Sequence, residues 1–291
     1  MSKVYTTEIT SGQIPSDNPI HQRLLKAYIL ARDFIRGDVL EVGCGEGRGI
    51  DWIIDKATSY TAIDKIEPVI AELRNKYPQG KFFSGNIPPM TAFQDNSFDL
   101  VLSFQVIEHI EDDRLLLKEI HRVLRPGGRA MLTTPNRPKS LARNPWHVRE
   151  YTAQELTDLA KTIFGQVEMK GITGNKKVMQ YYERNKKSVQ RIMRFDILDL
   201  QRRLPASILR VPYELLNRWN RNKLKDSADE LVRSIGHEDY LVTENAEEAL
   251  DLLLMVKKKN HESDYLHPII GTTNRWALQT PGSTEAVGLT L

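Results

Sequence analysis

The chain has 291 residues, of which 40% are hydrophobic and 27% are charged, and its formal net charge is +3. This composition is typical of a globular protein with one large domain or two small ones. The sequence contains no run of about 18 apolar residues, so we expect no transmembrane helix, and its first residues lack the apolar stretch of a secretory signal. The single cysteine, Cys44, excludes an intrachain disulfide and a cysteine-based zinc cluster, and we expect a cytoplasmic protein.

Apolar residues at helical spacing predict a first helix in the segment SDNPIHQRLLKAYILARDFI, with Ser16 or Asp17 as its cap. Strands and helices then alternate up to about residue 174. The predicted strands have the sequences DVLEVG, SYTAID, KFFSGN, SFDLVLSF, RAMLTTP and QVEMKGITG. The helix after the fifth strand should begin at Thr152, which forms a capping box with Glu155. This alternation predicts a doubly wound, mostly parallel sheet.

The pattern changes after residue 174. Residues 175–235 predict two or three helices, and the segment ALDLLLMVKKK predicts a last strand at the edge of the sheet or beside it. The expected fold is therefore α/β and Rossmann-like, with seven strands, an N-terminal lid helix and a helical insertion before the last strand. We divide the chain into a core (1–174), a basic helical insertion (175–235), the region of the last strand (236–259) and a flexible tail (260–291).

The insertion carries most of the positive charge. Residues 176–225 contain 14 Lys and Arg but 4 Asp and Glu, a local net charge of +10 against +3 for the whole chain. Apolar residues in the same segment, among them Leu215 and Trp219, recur near helical spacing. Such a basic amphipathic surface could bind an anionic carrier, a membrane face or RNA, or it could be a lid helix with solvated lysines.

The segment VLEVGCGEGRG, residues 39–49, joins the first strand to a glycine-rich loop. In a parallel sheet, a loop at this position binds the ligand. A dinucleotide fingerprint would need a third glycine where Arg48 stands, and no Lys-Ser or Lys-Thr follows, as it would in a loop for nucleoside triphosphates. The loop is therefore poorly suited to a phosphate chain, which leaves a ligand with a nucleoside and no phosphates.

Two further strands end in residues suited to a nucleoside. Asp64 ends the second strand, where its two carboxylate oxygens could accept hydrogen bonds from both ribose hydroxyls. Asn86 follows the third strand and offers both a donor and an acceptor to an adenine edge. Glu41, at the start of the loop, could accept hydrogen bonds from the backbone or from an ammonium group.

The segments VLEVGCGEGRG, YTAID, GNI, FDLVLSFQVIEHI and HRVLRPGGRAMLTTPN, in this order, resemble the successive motifs of the class I S-adenosylmethionine-dependent methyltransferases, in particular the type-11 group. The resemblance covers about residues 20–175 and is weaker up to residue 258. It implies methyl transfer from S-adenosylmethionine, with S-adenosylhomocysteine as the product. The implied acceptor is a small molecule or a glycan- or lipid-linked compound, methylated at oxygen or nitrogen.

The resemblance also implies which residues bind the cofactor. The loop would hold the methionine part through Glu41, Gly43, Cys44, Gly45 and Gly47. Asp64, with the adjacent Lys65, would bind the ribose, and Asn86 with Ile87 the adenine. Phe104 and Gln105, at the end of the fourth strand, would lie beside the sulfonium. The family more often has Asp at the position of Asn86, but Asn still accepts a hydrogen bond from the adenine amino group.

Catalysis requires an aligned acceptor and, for an oxygen of high pKa, a base or a metal. His109 follows the fourth strand and His147 the fifth, and together with Tyr151 they are the candidate catalytic residues, because an imidazole accepts a proton near neutral pH. Small-RNA 2′-O-methyltransferases hold a metal with an E-x-x-E-H motif and a later histidine. Here Gln105 replaces the first acid, which leaves Glu108 and the two histidines, one ligand short, so we expect no metal.

Other functions remain as alternatives. A metal-dependent RNA 2′-O-methyltransferase is disfavoured by Gln105 and by an only modestly basic isoelectric point. A nicotinamide-dependent oxidoreductase is disfavoured by Arg48 at the third glycine position, and a noncatalytic binding protein by the intact glycine loop. We therefore expect no nucleic acid partner, whereas peripheral contact with a membrane and the oligomeric state stay open.

Overall fold

The computed structural model describes residues 15–260 except 195, 197–202 and 228. Eight strands form one sheet in the order β3-β2-β1-β4-β5-β8-β6-β7. The strands are β1 (Asp38–Val42), β2 (Ser59–Asp64), β3 (Lys81–Ser84), β4 (Phe98–Phe104), β5 (Leu124–Pro135), β6 (Gln166–Gly174), β7 (Tyr240–Thr243) and β8 (Asp251–Lys257). The described α-helices are α1 (Asn18–Ala31), α2 (Ile50–Ile53), α3 (Glu67–Lys76), α4 (Asp113–Val123), α5 (Ala153–Lys161), α6 (Lys176–Met193), α7 (Ala206–Ser227) and α8 (Asp229–Ser234).

The first five strands are parallel, and their order reverses between β1 and β4, which pair with each other. Because crossovers between parallel strands are right-handed, helices before and after this reversal lie on opposite faces of the sheet. The reversal also opens a crevice at the carboxyl ends of β1 and β4, where such folds bind ligands. The doubly wound fold expected from the sequence is confirmed.

The position of β8 differs from our expectation. It lies between β5 and β6, antiparallel to both, and not at the edge of the sheet. Its residues from Asp251 to Val256 are all buried, as in a strand covered on both faces. The edge is instead formed by β7, from the segment YLVT, which pairs with β6. Within the described residues, the sheet therefore has eight strands rather than seven.

The core lies on both sides of the central strands. Leu40 of β1, Val101 of β4 and Leu254 of β8 are inaccessible to solvent, and α4 packs its buried Leu116 and Ile120 into the same cluster. Full burial of side chains of this size contributes about 1.5–3 kcal/mol each. The rigid strands thus hold the loops at their carboxyl ends in place.

The helix caps are partly as expected. α5 begins at Thr152, whose side chain and that of Glu155 form the expected capping box. At the start of α1, Asp17 occupies the N-cap position but makes no capping hydrogen bond. Its carboxylate is fully buried and forms salt bridges with Arg218 and Arg221 of α7. The first helix is therefore fastened to the helical insertion.

The contacts of the chain divide it into residues 1–259 and residues 260–291. The described helices of the insertion belong to the first unit. The expected flexible tail lies, apart from residue 260, outside the described residues. In the described part of the chain, no helix combines the length and the apolar character needed to cross a membrane.

Candidate active site

The loop between β1 and α2 leaves one glycine beside open space. Gly45 has a φ of +50°, a conformation that favours glycine, and a Cβ atom added there would meet no atom within 4 Å. A Cβ atom on Gly49, in contrast, would lie 1.8 Å from the ring of Tyr28. The loop therefore packs its end against α1 and leaves a space at Gly45 that a ligand could fill.

The other predicted loop residues face the protein. A Cβ atom on Gly43 would touch Val106, and one on Gly47 would touch Leu73. Cys44 is buried, and burial raises the pKa of its thiol well above the ordinary value. A thiol in this state is a poor nucleophile. This agrees with the interpretation that Cys44 stands in the loop because its small side chain fits there.

Asp64 lies beside the space at Gly45. Its Oδ2 accepts a hydrogen bond of 2.9 Å from the backbone N–H of Gly45, and its Oδ1 accepts one of 3.0 Å from the N–H of Ile66. Each carboxylate oxygen has a second lone pair. Asp64 therefore positions the loop and can still accept hydrogen bonds from a ligand. The side chain of the following Lys65 is exposed.

The turn after β3 lies next to Asp64. The N–H of Gly85 donates a hydrogen bond of 3.0 Å to the carbonyl oxygen of Asp64. Asn86, which follows, is exposed, and Ile87 is partly buried against the core. The residues predicted to bind ribose and adenine thus lie side by side at one edge of the sheet.

A strained residue follows β4. Gln105 has a φ of +58°, which costs a residue other than glycine about 1 kcal/mol. Its N–H donates to the carbonyl oxygen of Thr133 at 2.8 Å, and its Nε2 to Oγ1 of the same threonine at 3.3 Å. The buried Phe104 meets the ring of Tyr28 edge-on, with 4.8 Å between the centroids. Backbone strain of this kind concentrates at ligand sites. No pattern in the sequence predicts the positive φ of Gln105.

Glu41 is placed differently from our expectation. Its buried carboxylate accepts hydrogen bonds from the hydroxyl of Tyr28, at 2.7 Å, and from that of Tyr60. Burial raises the pKa of this carboxyl to about 7, although the two hydrogen bonds act in the opposite direction. The carboxylate that we expected to accept from the loop or from an ammonium group is only 1% exposed and accepts from two tyrosine hydroxyls. Glu41 holds α1 against the loop through Tyr28.

Arg48 also connects the loop to α1. Its Nε donates a hydrogen bond of 3.2 Å to Nδ1 of His21. Burial and the nearby guanidinium lower the pKa of His21 to about 4, so the imidazole is a neutral acceptor. The residue that stands in place of a third glycine is thus used to contact the helix that covers the loop. The sequence indicated no such partner for Arg48.

The two candidate histidines lie together beyond β4 and β5. The rings of His109 and His147 meet edge-on, with 5.0 Å between the centroids. Glu108 completes the group, and one ligand atom of each residue lies within 4.8 Å of those of the others. Oε2 of Glu108 accepts from the hydroxyl of Thr134 at 3.0 Å, and burial raises the pKa of Glu108 to about 7. The site therefore places a buried carboxyl group beside two imidazoles.

Neighbouring groups orient both imidazoles. Nδ1 of His109 lies 2.9 Å from the carbonyl oxygen of Trp146, which can only accept, so Nδ1 carries the proton. Nδ1 of His147 lies 2.6 Å from a carboxylate oxygen of Glu150, and its Nε2 lies 2.7 Å from Nδ2 of Asn144. Oδ1 of Asn144 accepts from the N–H of Trp146 at 3.0 Å, which fixes the orientation of the amide. Nε2 is therefore the basic atom of His147, and the Asn144 amide covers it.

Glu108, His109 and His147 could together hold a divalent cation, because a carboxylate and two imidazoles are common ligands of such ions. Nε2 of His147 would first have to exchange the amide of Asn144 for the ion. The arrangement as it stands favours hydrogen bonding and proton transfer.

Tyr151 does not join this site. Its ring is part of the hydrophobic core, and its hydroxyl donates a hydrogen bond of 2.8 Å to Oδ2 of Asp113. Burial and this bond raise its pKa well above the ordinary value. The guanidinium of Arg149 binds the same oxygen at 2.6 Å. This placement argues against the catalytic role that we expected for Tyr151 and favours a role in positioning the loop after β5.

Comparisons with known proteins agree with the sequence motifs. A family model described as a methyltransferase domain matches residues 40–132. A protein of Mycolicibacterium smegmatis, named a probable S-adenosylmethionine-dependent methyltransferase, is 43% identical over 136 residues, which are 45% of this chain and 52% of the relative. A ubiquinone biosynthesis O-methyltransferase of Xanthomonas oryzae is 30% identical over 115 residues, which are 38% of this chain and 48% of that protein. The chain thus spans about half the length of the curated relatives it matches.

Solved structures share the fold. An S-adenosylmethionine-dependent methyltransferase from Thermotoga maritima, described as a possible histamine N-methyltransferase, has a TM-score of 0.50 at 17% identity, covering 82% of this chain and 91% of that one. The [4+2]-cyclase SpnF has a TM-score of 0.50 at 15% identity, covering 82% of each chain. Motifs and fold agree with the resemblance to the class I S-adenosylmethionine-dependent methyltransferases, and the family model places a methyltransferase domain at residues 40–132.

Proposed function

We propose that the protein transfers the methyl group of S-adenosylmethionine to an oxygen or nitrogen atom of a small-molecule or glycan- or lipid-linked acceptor. The observation that carries this proposal is the open space at Gly45, bordered by Asp64, in the crevice at the carboxyl ends of β1 and β4, where the strand order reverses. A carboxylate at this place suits the hydroxyls of a nucleoside better than a phosphate chain.

The cofactor supplies, when bound, a methyl group on a positively charged sulfur that is already activated for displacement. The residues of the chain have the task of binding and orienting it. In this proposal Asp64 accepts from the ribose hydroxyls, and Asn86 with Ile87 borders the adenine. The space at Gly45 takes the methionine part, and Gln105 lies at the reacting end.

His147 is the proposed base for an acceptor that must lose a proton. The carboxylate of Glu150 accepts a hydrogen bond from Nδ1–H of His147, which keeps the proton on Nδ1 and leaves the lone pair on Nε2. The Asn144 amide would leave Nε2 when the acceptor binds. His109, whose ring contacts that of His147, is the second candidate.

One relative bears on the choice of acceptor. An oxygen acceptor agrees with the name of the ubiquinone biosynthesis O-methyltransferase, which is similar over 38% of this chain. The matches to methyltransferases favour methyl transfer over the nicotinamide-dependent alternative. The [4+2]-cyclase with the same fold shows that fold alone does not determine the reaction.

The test is transfer of labelled methyl groups. The protein is incubated with S-adenosylmethionine labelled at the methyl group and with lipid and aqueous extracts, and labelled products are identified by mass spectrometry. We expect labelling by the wild type and labelling lowered on the order of a hundredfold or more in His147→Gln, with unchanged binding of S-adenosylhomocysteine. Wild-type protein that binds S-adenosylhomocysteine but labels no compound in either extract would contradict the proposal.

A further inference from the structure

The helix α7 has its apolar side on the outside. Eight large hydrophobic side chains of the described residues are exposed, and five of them lie on this helix. We call these five the apolar stripe: Ile208, Val211, Leu215, Leu216 and Trp219. Leu215 is 68% exposed and Val211 65%. Positions 208, 211, 215 and 219 recur every three or four residues, so their side chains line one face of the helix.

The opposite side of α7 is polar and faces the protein. Arg221 donates a hydrogen bond of 3.1 Å to the buried Asp17. Asn220, which is buried, accepts from the hydroxyl of Ser188 at 2.5 Å and donates to Oδ1 of Asn185 at 2.8 Å. These bonds fix the rotation of the helix, because turning the apolar stripe inward would leave buried polar groups unpaired. An exposed apolar surface held in this way marks an interaction site.

The surrounding charge indicates the partner. The apolar stripe lies within residues 176–225, which carry a net charge of +10, and the exposed Lys223 lies over the ring of Trp219, with 4.9 Å from Nζ to the centroid. A second copy of the chain would bring like charges together. Single-stranded RNA binds by stacking on aromatic side chains, whereas four of the five residues of the stripe are aliphatic. Aliphatic side chains flanked by Lys and Arg suit the boundary of an anionic bilayer.

We propose that α7 docks on an anionic lipid surface, with the apolar stripe at the boundary between headgroups and acyl chains. Arg210 of the same helix stacks over the ring of Trp146 at 4.0 Å, and Trp146 directly precedes His147. Docking would thus bring the candidate base close to compounds embedded in the bilayer. The docking does not depend on methyl transfer, since a chain without that activity would present the same surface.

The test is sedimentation of the full chain with sucrose-loaded vesicles. One set contains equal parts of phosphatidylglycerol and phosphatidylcholine, and the other phosphatidylcholine alone. We expect binding to the anionic vesicles that is at least about tenfold tighter than to the neutral ones and that falls with added salt. The double variant Val211→Ser/Leu215→Ser should bind anionic vesicles at least about tenfold more weakly. Leu241→Ser is the matched control, because Leu241 is exposed but lies on β7, and it should bind as the wild type does.

Two results would overturn the proposal. One is wild-type protein that does not sediment with anionic vesicles at low salt, and the other is a double variant that binds them as tightly as the wild type. In the first case, analytical ultracentrifugation and titration with an RNA oligonucleotide would assign the apolar stripe to a second copy or to RNA. Circular dichroism of the double variant checks that the fold is retained, as expected for exposed positions.

Discussion

The backbone N–H of Gly45 donates a hydrogen bond of 2.9 Å to Oδ2 of Asp64, so the glycine loop and the end of β2 hold each other in place. The two residues are neighbours because β1 and β2 are parallel and Val42 pairs with Ile63. A ligand that fills the space at Gly45 therefore contacts Asp64 as well. Both residues lie at the crevice next to β4, where the strand order reverses.

Gly45→Ala should prevent cofactor binding while the fold is retained. The added methyl group meets no protein atom within 4 Å, so we expect a loss of stability of only about 1 kcal/mol from the positive φ. The same methyl group enters the space for the ligand and should weaken binding of S-adenosylhomocysteine at least about tenfold. Calorimetric titration measures the affinity, and urea unfolding measures the stability.

Gly49→Ala is the matched variant with the opposite expectation. Its Cβ atom would lie 1.8 Å from the ring of Tyr28, so the loss of stability should be about 1–3 kcal/mol through forced repacking. If Gly45→Ala bound S-adenosylhomocysteine as well as the wild type, the open space at this glycine would not be part of the cofactor site.

Glu41 should make the protein less stable as the pH rises through 7. The pKa of this carboxyl is about 7 in the folded state and 4.5 ordinarily. Between these values the folded state binds more protons than the unfolded state, so the free energy of unfolding falls with increasing pH. The effect is on the order of a few kcal/mol, at about 1.4 kcal/mol per unit of pKa.

Glu41→Gln should flatten this dependence in urea unfolding between about pH 5 and pH 8. Part of the slope should remain, because burial also raises the pKa of Glu108 to about 7. A slope that is unchanged in Glu41→Gln would show that this carboxyl does not take up a proton in the folded state.

Asp17→Asn should destabilise the protein by about 3 kcal/mol, because it removes the charge that pairs with Arg218 and Arg221 in a buried position. Asp33→Asn is the control, since Asp33 is exposed near the end of the same helical segment, and its effect should stay within about 0.5 kcal/mol. Urea unfolding measures the free energy of unfolding of both variants. Equal stabilities of the two variants would mean that the salt bridges to α7 contribute little.

Removal of metal ions should leave cofactor binding unchanged. The Asn144 amide occupies Nε2 of His147, so the wild type should bind Zn²⁺ weakly, whereas Asn144→Ala uncovers this nitrogen next to His109 and Glu108 and should bind the ion more tightly. Titration with Zn²⁺ compares the two proteins, and titration of S-adenosylhomocysteine with and without EDTA tests the cofactor. Tight binding of Zn²⁺ by the wild type would favour the metal-dependent alternative.

The parallel half of the fold could be predicted from the sequence because each of its strands and helices is indicated by the residues within that element. The strands from β1 to β5 each contain apolar residues in a short stretch, and turn residues and helical patterns separate these stretches. The place of β8 could not be predicted in this way. An apolar run indicates burial but not neighbours, and two antiparallel partners complete this strand from either side.

For the candidate site, the sequence likewise predicts where residues lie along the sheet but not which partners their side chains bind. Asp64 ends one strand and Asn86 follows another, so the pattern of strand ends predicts that they lie at one edge, and they do. The direction of a polar side chain is set by distant residues, and no local signal gives it. Tyr60 and Tyr28 bind Glu41, and Asp17 finds a partner 204 positions away in Arg221.

Titration of S-adenosylhomocysteine into the full chain by calorimetry, with NAD⁺ as the parallel ligand, tests the central claim most directly. We expect micromolar binding of S-adenosylhomocysteine by the wild type, at least about tenfold weaker binding by Asp64→Asn, which loses one carboxylate acceptor, and no binding of NAD⁺. Well-folded wild-type protein that binds NAD⁺, or that binds neither ligand, would contradict the assignment of the crevice at Gly45 and Asp64 to S-adenosylmethionine.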